Sequence, residues 1–397
     1  MSRWSSDRSM LISPASVGDY REFARRRLPR QLFDYIDGGA YAESTMAANM
    51  ADLQRIKLRQ RVLRDVSHVG MQTVVLGEQL SMPVILGHVG LAGMYSTRAE
   101  VSAARAAHAE GVIFCESAVS ICGVEEVSAA TERAVWFQLY MMRDRGFVAA
   151  LMERAYAAGC RVLLMTVDLA VVGARYRDVR NGLVGHQSLT GKVLQGMQFA
   201  KHPRWAWEVG IRGGPHTFGN LQEAVPDARR PEQFSKWVES QFDPSVTWTD
   251  LSWVRSRWPG KLVIKGVLDP EDARQAADCG ADGIVVSNHG GRQLDSTPST
   301  ATALGPVVDA VGASIEVLVD GGIRSGLDVA KVLALGARAC LVGRAWAWAV
   351  AAGGEPAVRR MLNTVRSELR VALSLTGAAD VGELDRSALV GVEVGNA

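Results

Sequence analysis

The chain has 397 residues, of which 44 are basic and 42 acidic, so its formal net charge at pH 7 is only +2. So small a net charge gives no global field that would favour nucleic acid as a partner. With 48% hydrophobic and 22% charged residues, the composition is that of a globular protein with an ordinary core, and it excludes a disordered chain.

The cysteines and the apolar runs indicate the cellular setting. We expect reduced core thiols of a cytosolic protein, because the five cysteines form no CxxC pair; disulfides and metal ligands are not expected. The first residues lack the apolar core of a secretory signal. The longest apolar run, Val162 to Ala174, is interrupted by Asp168 and falls short of the roughly 18 residues of a spanning helix. The cysteines are Cys115, Cys122, Cys160, Cys279 and Cys340.

A helical pattern runs from Val17 to Asn49 and is broken at Asp37-Gly38-Gly39. From Pro83 onward, short apolar runs alternate with helical stretches. Eight nearly all-apolar strands, each followed by a helix, predict a closed parallel barrel of the (β/α)8 TIM type with an N-terminal helical extension. An open doubly wound sheet is the alternative, but no GxGxxG follows the first strand. The predicted strands are Val84–Gly87, Val112–Cys115, Trp136–Tyr140, Arg161–Thr166, Leu262–Lys265, Gly283–Ser287, Glu316–Asp320 and Ala339–Gly343.

We predict a single domain over residues 1–397, with the barrel core at about 83–350. Between the fourth strand and its helix lies an insertion of residues 180–246, far above the usual length of a connection. From Lys192 to Phe218 it interleaves aromatic and basic side chains, a pattern that suits a membrane interface. The alternative is a self-packed lid over the site. The aromatic and basic residues are Phe199, Trp205, Trp207, Phe218, Lys201, Arg204 and Arg212.

Polar residues collect where the predicted strands end. In a barrel of this type these carboxyl ends share one rim, and chemistry occurs there. Chance would distribute such residues over both rims. The residues are Ser117, Gln138, Tyr140, Thr166, Asp168, Lys265, Ser287, His289, Arg292, Asp320, Gly321, Gly322, Arg324, Gly343 and Arg344.

The most informative stretch follows the sixth strand and runs from Ser287 to Asp295. His289 offers an imidazole that accepts a proton near neutral pH. Arg292 offers a planar guanidinium that binds a carboxylate through two hydrogen bonds. The glycines between them let the backbone turn tightly beside a flat ligand. The alternative is a polar surface turn without function.

The ends of strands seven and eight predict an anion site. In such barrels the loops after these strands commonly hold a phosphate. Gly321, Gly322 and Gly343 would permit a close approach, and Arg324 and Arg344 would supply charge; a tight turn with solvated arginines is the alternative. Lys265 ends an apolar strand and needs an anion, such as a flavin that gains negative charge on reduction.

These residues resemble the family of FMN-dependent L-2-hydroxy acid dehydrogenases and oxidases, and within it the bacterial respiratory L-lactate dehydrogenases. The resemblance runs from about Asp19 to the final helix. Its most specific stretch is Ser287-Asn288-His289-Gly290-Gly291-Arg292-Gln293-Leu294-Asp295. Further matching stretches are Asp37-Gly38-Gly39-Ala40-Tyr41, Trp136-Phe137-Gln138-Leu139-Tyr140, Gly173-Ala174-Arg175-Tyr176-Arg177-Asp178, His202-Pro203-Arg204-Trp205-Ala206-Trp207 and Lys265-Gly266-Val267-Leu268-Asp269-Pro270-Glu271-Asp272-Ala273.

The resemblance implies a role for each residue. His289 takes the substrate proton, Asp168 holds the imidazole, and Tyr140 hydrogen-bonds near the reacting oxygen. Tyr35, Tyr140, Arg175 and Arg292 would bind the substrate. Burial in the core would equally explain Tyr35 and Tyr140, and Arg175 competes with neighbouring arginines. The implied contacts of FMN are Ser117, Gln138, Thr166, Lys265 and Ser287 at the ring and ribityl chain, and Asp320, Gly321, Gly322, Arg324, Gly343 and Arg344 at the ribityl and phosphate end. No metal is expected.

Two departures from the family pattern stand at the rim. Gly87-His88 replaces the usual Ala-Pro after the first strand, which puts an imidazole near the ring. Glu116 is an unexpected charge within the second strand. Neither departure touches His289, Arg292 or Asp168.

The resemblance implies oxidation of L-lactate to pyruvate, with electrons passed to quinone of the respiratory chain. It also implies a homotetramer that is attached peripherally, through the insertion, to the cytoplasmic side of the cell inner membrane. An oxidase, or a dehydrogenase of mandelate or glycolate, is the alternative within the family. A barrel that binds a phosphate ligand without catalysis is the alternative outside it.

Overall fold

The computed structural model describes residues 13–183, 196–214, 217–222 and 240–391. In this part of the chain, eight parallel strands close into one barrel in which each strand pairs with its sequence neighbour and the last pairs with the first. The predicted (β/α)8 barrel is therefore confirmed. The strands are Val84–Leu86, Ile113–Ser117, Trp136–Tyr140, Val162–Thr166, Lys261–Val267, Gly283–Val286, Glu316–Val319 and Ala339–Val342.

A helix follows each strand and covers the outside of the barrel. The last of these helices contains a kink at Gly353 and Gly354, where the backbone leaves helical geometry. In chain order the helices are Ala99–Ala109, Val124–Ala129, Arg145–Ala157, Trp248–Arg257, Pro270–Asp278, Thr300–Val311, Gly326–Ala334 and Arg344–Thr376.

The barrel interior is closed at its amino end by a hairpin, Thr73–Val75 and Glu78–Leu80. Leu76 and Leu80 of this hairpin pack with inward side chains of the strands, including Trp136, in a cluster that is separate from the outer core. The Trp136 indole donates a hydrogen bond of 2.8 Å to Glu78. The hairpin therefore fills the amino end of the described barrel.

The N-terminal extension forms three helices, Val17–Arg27, Arg30–Asp37 and Ser44–Arg55. The second begins after Pro29, and the third begins only after the predicted break at Gly38 and Gly39. The first packs along the C-terminal helix. The loop between the second and third crosses the carboxyl rim, since Ala40 N–H donates to the Gly291 carbonyl at 2.8 Å.

Candidate active site

His289 and Asp168 form a buried pair at the carboxyl rim. Nδ1 of the imidazole lies 2.8 Å from Oδ1 of the carboxylate, and the two side chains are only 15% and 13% exposed. The sequence placed them 121 residues apart, on loops after the sixth and fourth strands. A carboxylate on Nδ1 fixes the proton there, which leaves Nε2 free to accept one.

The backbone at His289 is held in an unusual conformation. Its φ is +56°, followed by +63° at Gly290 and +73° at Gly291, so three successive residues are left-handed. Such a conformation costs a non-glycine residue about 1 kcal/mol or more. Two local bonds stabilise it: His289 N–H donates to Ser287 Oγ at 3.0 Å, and Gly291 N–H donates to Asn288 Oδ1 at 3.1 Å.

Asp168 is placed by two residues to which the sequence gave no role. Gly266 has a φ of +109°, and a Cβ there would lie 2.6 Å from the Cβ of Asp168. The Gln293 amide donates to the carbonyls of Asp168 and Val171, each at 2.9 Å. Gly266 also sits at a register irregularity in the fifth strand. Sequence offered a signal for Gln293, which lies inside the most informative stretch, but none for the close approach at Gly266.

The electrostatics of the pair favour a neutral base beside a charged carboxylate. Burial lowers the pKa of His289 below its ordinary value, and Asp168 opposes this only in part. Burial would raise the pKa of Asp168, but His289 and the Lys265 ammonium hold it below its ordinary value. At neutral pH the imidazole is therefore unprotonated and able to accept a proton.

Arg292 and Arg175 converge on one side of this pair, where both guanidinium groups face the ring of Tyr35, at 4.9 and 5.6 Å from its centroid. Arg292 donates to the carbonyls of Tyr35 and Gly38, at 2.6 and 2.8 Å. Burial, followed by the charge of Arg175, lowers the pKa of Arg292. Two like charges brought together in a desolvated site favour an anion between them.

Tyr140 ends the third strand and is 7% exposed. Burial, and then the charge of Asp168, raises its pKa, so the phenol stays protonated and can donate a hydrogen bond. Its ring packs edge-on against Phe242 at 5.4 Å. The structure thus brings Tyr140, Tyr35, Arg175 and Arg292 to the same rim as His289.

A row of hydrogen-bonded polar groups crosses strands two, three and four. Ser117 Oγ donates to Gln138 Oε1 at 3.0 Å, and Gln138 Nε2 donates to Thr166 Oγ1 at 3.0 Å. All three residues are buried. The row forms the polar floor of the mouth that was predicted from the strand ends.

Lys265 extends this floor across strands five to seven. Its ammonium donates to Ser287 Oγ at 3.0 Å and lies 3.4 Å from an Asp320 carboxylate oxygen. Burial would lower the pKa of Lys265, but Asp320 and Asp168 raise it, so the side chain is a cation. The other carboxylate oxygen of Asp320 is buried and makes no hydrogen bond within the described residues.

The predicted phosphate end combines packing and charge. At Gly321 and Gly322 the φ angles are +88° and +81°. A Cβ at Gly321 would collide with the Thr300 side chain, and one at Gly322 would collide with the Asn49 carbonyl. These two glycines therefore serve a tight packing of the helix Ser44–Arg55. At Gly343, by contrast, a Cβ would meet only Val89, at 3.8 Å.

The two arginines of this end differ in how they are held. The Arg344 guanidinium donates to the carbonyls of Ile36, Gly38 and Gly290, at 3.1, 2.7 and 2.9 Å. Arg324 lies 4.9 Å from the Trp348 ring, and its buried Nε makes no hydrogen bond within the described residues. Burial lowers the pKa of Arg324 to about 10, although the charges of Asp328 and Asp37 oppose this.

The matching of the chain to known proteins identifies its family. The family model for FMN-dependent dehydrogenases matches residues 24–391. An L-lactate dehydrogenase from Caulobacter vibrioides is 55% identical over 96% of this chain and 98% of its own length. One from Chromohalobacter salexigens is 51% identical over 96% of each chain. The chain belongs to the FMN-dependent dehydrogenase family.

Solved structures support this membership. The crystal structure of the monotopic membrane protein (S)-mandelate dehydrogenase superimposes with a TM-score of 0.90 and 34% identity, covering 96% of this chain and all of that one. A mandelate oxidase variant with (S)-mandelic acid gives a TM-score of 0.80 and 36% identity, covering 95% and 98%. The resemblance expected from sequence is confirmed, and FMN is the cofactor of the family.

The mouth fits FMN on its own chemistry. Lys265 supplies a buried cation on the polar floor, which suits the negative charge that an isoalloxazine ring gains on reduction. The buried Nε of Arg324 and the open side of Gly343 suit a phosphate at the last strands. Asn49 also contacts this site, although nothing in the sequence indicated this contact. Its side-chain amide forms two hydrogen bonds of 2.8 Å with that of Asn288, donating one and accepting the other.

The described parts of the insertion dock on this mouth. The Trp205 indole donates to the Met94 carbonyl at 2.9 Å, and Glu208 pairs with Arg27 at 2.5 Å. Asn220 accepts a bond of 2.8 Å from Val124 N–H and donates to the Ser117 carbonyl at 3.1 Å. The insertion is therefore attached beside the site by polar contacts.

Large apolar side chains of the insertion differ in exposure. Trp205 and Phe218 are 6% and 5% exposed, whereas Trp207 is 51% and Ile211 69% exposed. The exposed pair lies in the π-helical turn Ala206–Ile211, and the Arg212 guanidinium covers the Trp207 ring at 5.0 Å. Lys192, where the predicted aromatic and basic segment begins, lies outside the described residues. No helix in the described ranges is long and apolar enough to cross a bilayer.

Proposed function

We propose that this protein is an FMN-dependent L-lactate dehydrogenase that oxidises L-lactate to pyruvate. The relatives named L-lactate dehydrogenase match almost the full length of the chain at 50% to 55% identity. The single observation that carries the chemistry is the buried His289–Asp168 pair beside the Arg292 and Arg175 guanidinium groups. A 2-hydroxy acid presents a hydroxyl proton and a carboxylate, and this arrangement offers one partner for each.

The residues would act on the substrate as follows. Arg292 and Arg175 bind its carboxylate, which places the adjoining carbon within the mouth. His289 Nε2 accepts the hydroxyl proton, and Asp168 stabilises the imidazolium that forms. The protonated phenol of Tyr140 donates toward the reacting oxygen, where negative charge develops. Tyr35 adds a hydroxyl on the side of the carboxylate.

The remaining rim residues would hold the cofactor. Bound FMN supplies the two-electron acceptor for the oxidation. Ser117, Gln138, Thr166, Lys265 and Ser287 would bind its ring and ribityl chain. The ribityl and phosphate end would be surrounded by Asp320, Gly321, Gly322, Arg324, Gly343 and Arg344. In this arrangement Arg344 also has a structural part. Its guanidinium donates to the carbonyls of Gly38 and Gly290 and so fixes the loops around them.

Anaerobic reduction of the purified yellow protein tests the substrate. L-lactate should bleach the flavin absorbance at a nearly stoichiometric amount. The rate should exceed that with glycolate and far exceed that with (S)-mandelate. The opposite enantiomer, D-lactate, is the control. Bleaching by mandelate in preference to lactate would establish the alternative within the family. A colourless protein that holds phosphate but not FMN would overturn the enzyme assignment.

We also propose that the electrons pass to a quinone at a membrane surface, with the protein attached peripherally on the cytoplasmic side of the inner membrane. The exposed Trp207 and Ile211 beside Arg212 support attachment, because tryptophan and arginine favour the interface. The similar mandelate dehydrogenase is a monotopic membrane protein. We further propose that the protein is a homotetramer, as the family resemblance implies.

Comparing two acceptors separates a dehydrogenase from an oxidase. During lactate turnover, reduction of a soluble quinone analogue should exceed formation of hydrogen peroxide by at least an order of magnitude. Equal or greater peroxide formation would identify an oxidase. Sedimentation or light scattering of the detergent-free protein then tests the tetramer.

A further inference from the structure

His88 occupies the floor of the barrel mouth, two residues beyond the first strand. Its backbone is held there because the buried Trp346 indole donates to the Gly87 carbonyl at 2.8 Å. The imidazole Nδ1 lies 4.0 Å from the Sγ of Cys115, an inward residue of the second strand that is fully buried. His88 therefore belongs to the barrel interior and has no part in the proton-accepting pair already described.

The thiol beside His88 carries no charge. Burial raises the pKa of Cys115, so this residue remains a thiol at neutral pH. Its Sγ donates to the Glu116 carbonyl at 3.9 Å and lies 4.0 Å from His88 Nδ1. Cys115 therefore offers the imidazole no ion pair.

The charge that acts most on His88 is that of the Lys265 ammonium. Burial lowers its pKa well below the ordinary value, and Lys265 and His289 lower it further. Lys265 is a cation, while His289 is neutral and Cys115 is a thiol. The acidic groups nearby, Asp320 and Asp168, are paired with Lys265 and His289. A second cation is therefore unfavourable as long as the mouth gains no negative charge.

We propose that His88 is a charge-compensating residue, which takes up a proton from solvent when the bound flavin ring is reduced. This inference rests on the proposed placement of the ring beside Lys265 but does not depend on the identity of the substrate. A ring that accepts two electrons and one proton gains one negative charge. A negative charge beside a histidine favours its protonated form and raises its pKa. Reduction of the ring therefore favours proton binding at His88.

Electrons, protons and net charge balance in this step. Two electrons and one proton enter the ring, and one further proton passes from water to Nδ1 or Nε2 of His88, so the mouth has the same net charge before and after reduction. No bond to carbon forms or breaks at His88. The ring is thereby easier to reduce at low pH than at high pH, beyond the effect of its own proton.

The test is an electrochemical titration of the bound flavin, with mediators and without hydroxy acid, from pH 5.5 to 8.5. The slope of the midpoint potential against pH gives the number of protons taken up for every two electrons. We expect a number near two at the acid end of the range, falling to one at the alkaline end. In His88→Gln, which keeps a donor but cannot bind a proton, we expect one proton throughout.

Controls separate this outcome from other causes. His108→Gln replaces an exposed histidine and should leave the slope of the wild type unchanged. His88→Asn serves where the glutamine variant fails to retain FMN, which the absorbance spectrum shows. A wild type that takes up one proton at every pH overturns the proposal, as does a second proton that persists in both His88 variants. Because no lactate is used, either result leaves the proposed substrate untouched.

Discussion

The barrel mouth and the insertion use similar residues, arginine beside aromatic rings, in opposite settings. In the mouth, Arg292, Arg324 and Arg344 are buried deeply enough for their pKa values to fall. In the insertion, Arg204 is 60% exposed, and the ring that Arg212 covers belongs to Trp207, itself half exposed.

This difference in the burial of the arginines determines which interactions would contribute to the free energy of ligand binding in each region. A buried guanidinium has lost its water, so an anion that reaches it restores a large electrostatic interaction. An exposed guanidinium is already hydrated, and an ion pair there contributes only about 0–1 kcal/mol. We therefore expect the mouth to favour small anions. The insertion can bind strongly only through apolar area, which a lipid interface provides.

The largest effect should follow replacement of the base in the mouth. His289→Gln retains a hydrogen-bonding side chain of similar size but cannot accept the proton, so turnover should fall by about 10²–10⁴-fold. FMN content should remain that of the wild type, because the flavin contacts proposed above do not involve this imidazole. Stopped-flow reduction of the flavin by L-lactate measures the loss. Near-normal reduction in a variant that retains FMN would remove His289 from its proposed role.

Replacing the partner of the base should change the pH profile in a defined direction. Asp168→Asn removes the carboxylate that raises the pKa of His289, while burial and Lys265 continue to lower it. The acid limb of kcat/KM should therefore move to lower pH than in the wild type. The rate on the plateau should fall by roughly 10–100-fold, because the imidazolium loses its stabilising charge. An acid limb that moves to higher pH would contradict the assigned electrostatics.

The close approach at Gly266 offers a third way to disturb the mouth. A Cβ at this residue would collide with Asp168, so Gly266→Ala should displace the carboxylate and reduce flavin reduction by about tenfold or more. The matched control is Gly159→Ala. Gly159 has a similar φ of +99° but open space at the Cβ position, so this variant carries the backbone strain without the collision. Equal losses of activity in both variants would assign the effect to strain alone.

Sequence predicted the barrel because the strand signal is local. Eight apolar runs bounded by turn residues identify eight strands, and the alternation with helices then fixes a parallel sheet. The rim followed from the same reasoning, since parallel strands place their carboxyl ends together. His289 and Arg292 were found because they stand in one turn directly after a strand.

What sequence could not give depends on contacts between distant segments. The fit of Gly266 against Asp168, the Asn49–Asn288 pair and the carbonyl contacts of Arg344 each join segments far apart in the chain. The separation of Trp205 from Trp207 depends on which side of a short helical turn meets the barrel. Composition treats these two tryptophans alike, whereas packing buries one and exposes the other.

Membrane binding by the insertion should weaken when exposed apolar side chains are removed and its charges are kept. The double substitution Trp207→Ser with Ile211→Ser should lower partitioning onto anionic vesicles by at least tenfold, since each side chain contributes about 1–3 kcal/mol when it leaves water. Turnover with a soluble acceptor should remain unchanged. The control Val371→Ser with Leu375→Ser removes similarly exposed apolar residues from the C-terminal helix. Equal loss of vesicle binding in the control would show that the insertion has no special part in attachment.

The smallest effect concerns a capping contact that ties the mouth to the N-terminal extension. Asp295 accepts hydrogen bonds from the backbone N–H groups of Ser44 and Thr45, at 3.3 and 2.7 Å, at the start of the helix Ser44–Arg55. Burial would raise the pKa of Asp295, but these bonds lower it to about 2.

Because the pKa is lower in the folded state, the stabilisation is complete above the unfolded value near 4 and disappears as the pH falls toward 2. Asp295→Asn should therefore lower the free energy of unfolding by about 1 kcal/mol at pH 7, and by less at pH 3. Urea unfolding at the two pH values measures this, with the exposed Asp278→Asn as the control. An equal loss at both pH values would mean that geometry, and not the charge of the carboxylate, holds the helix to the mouth.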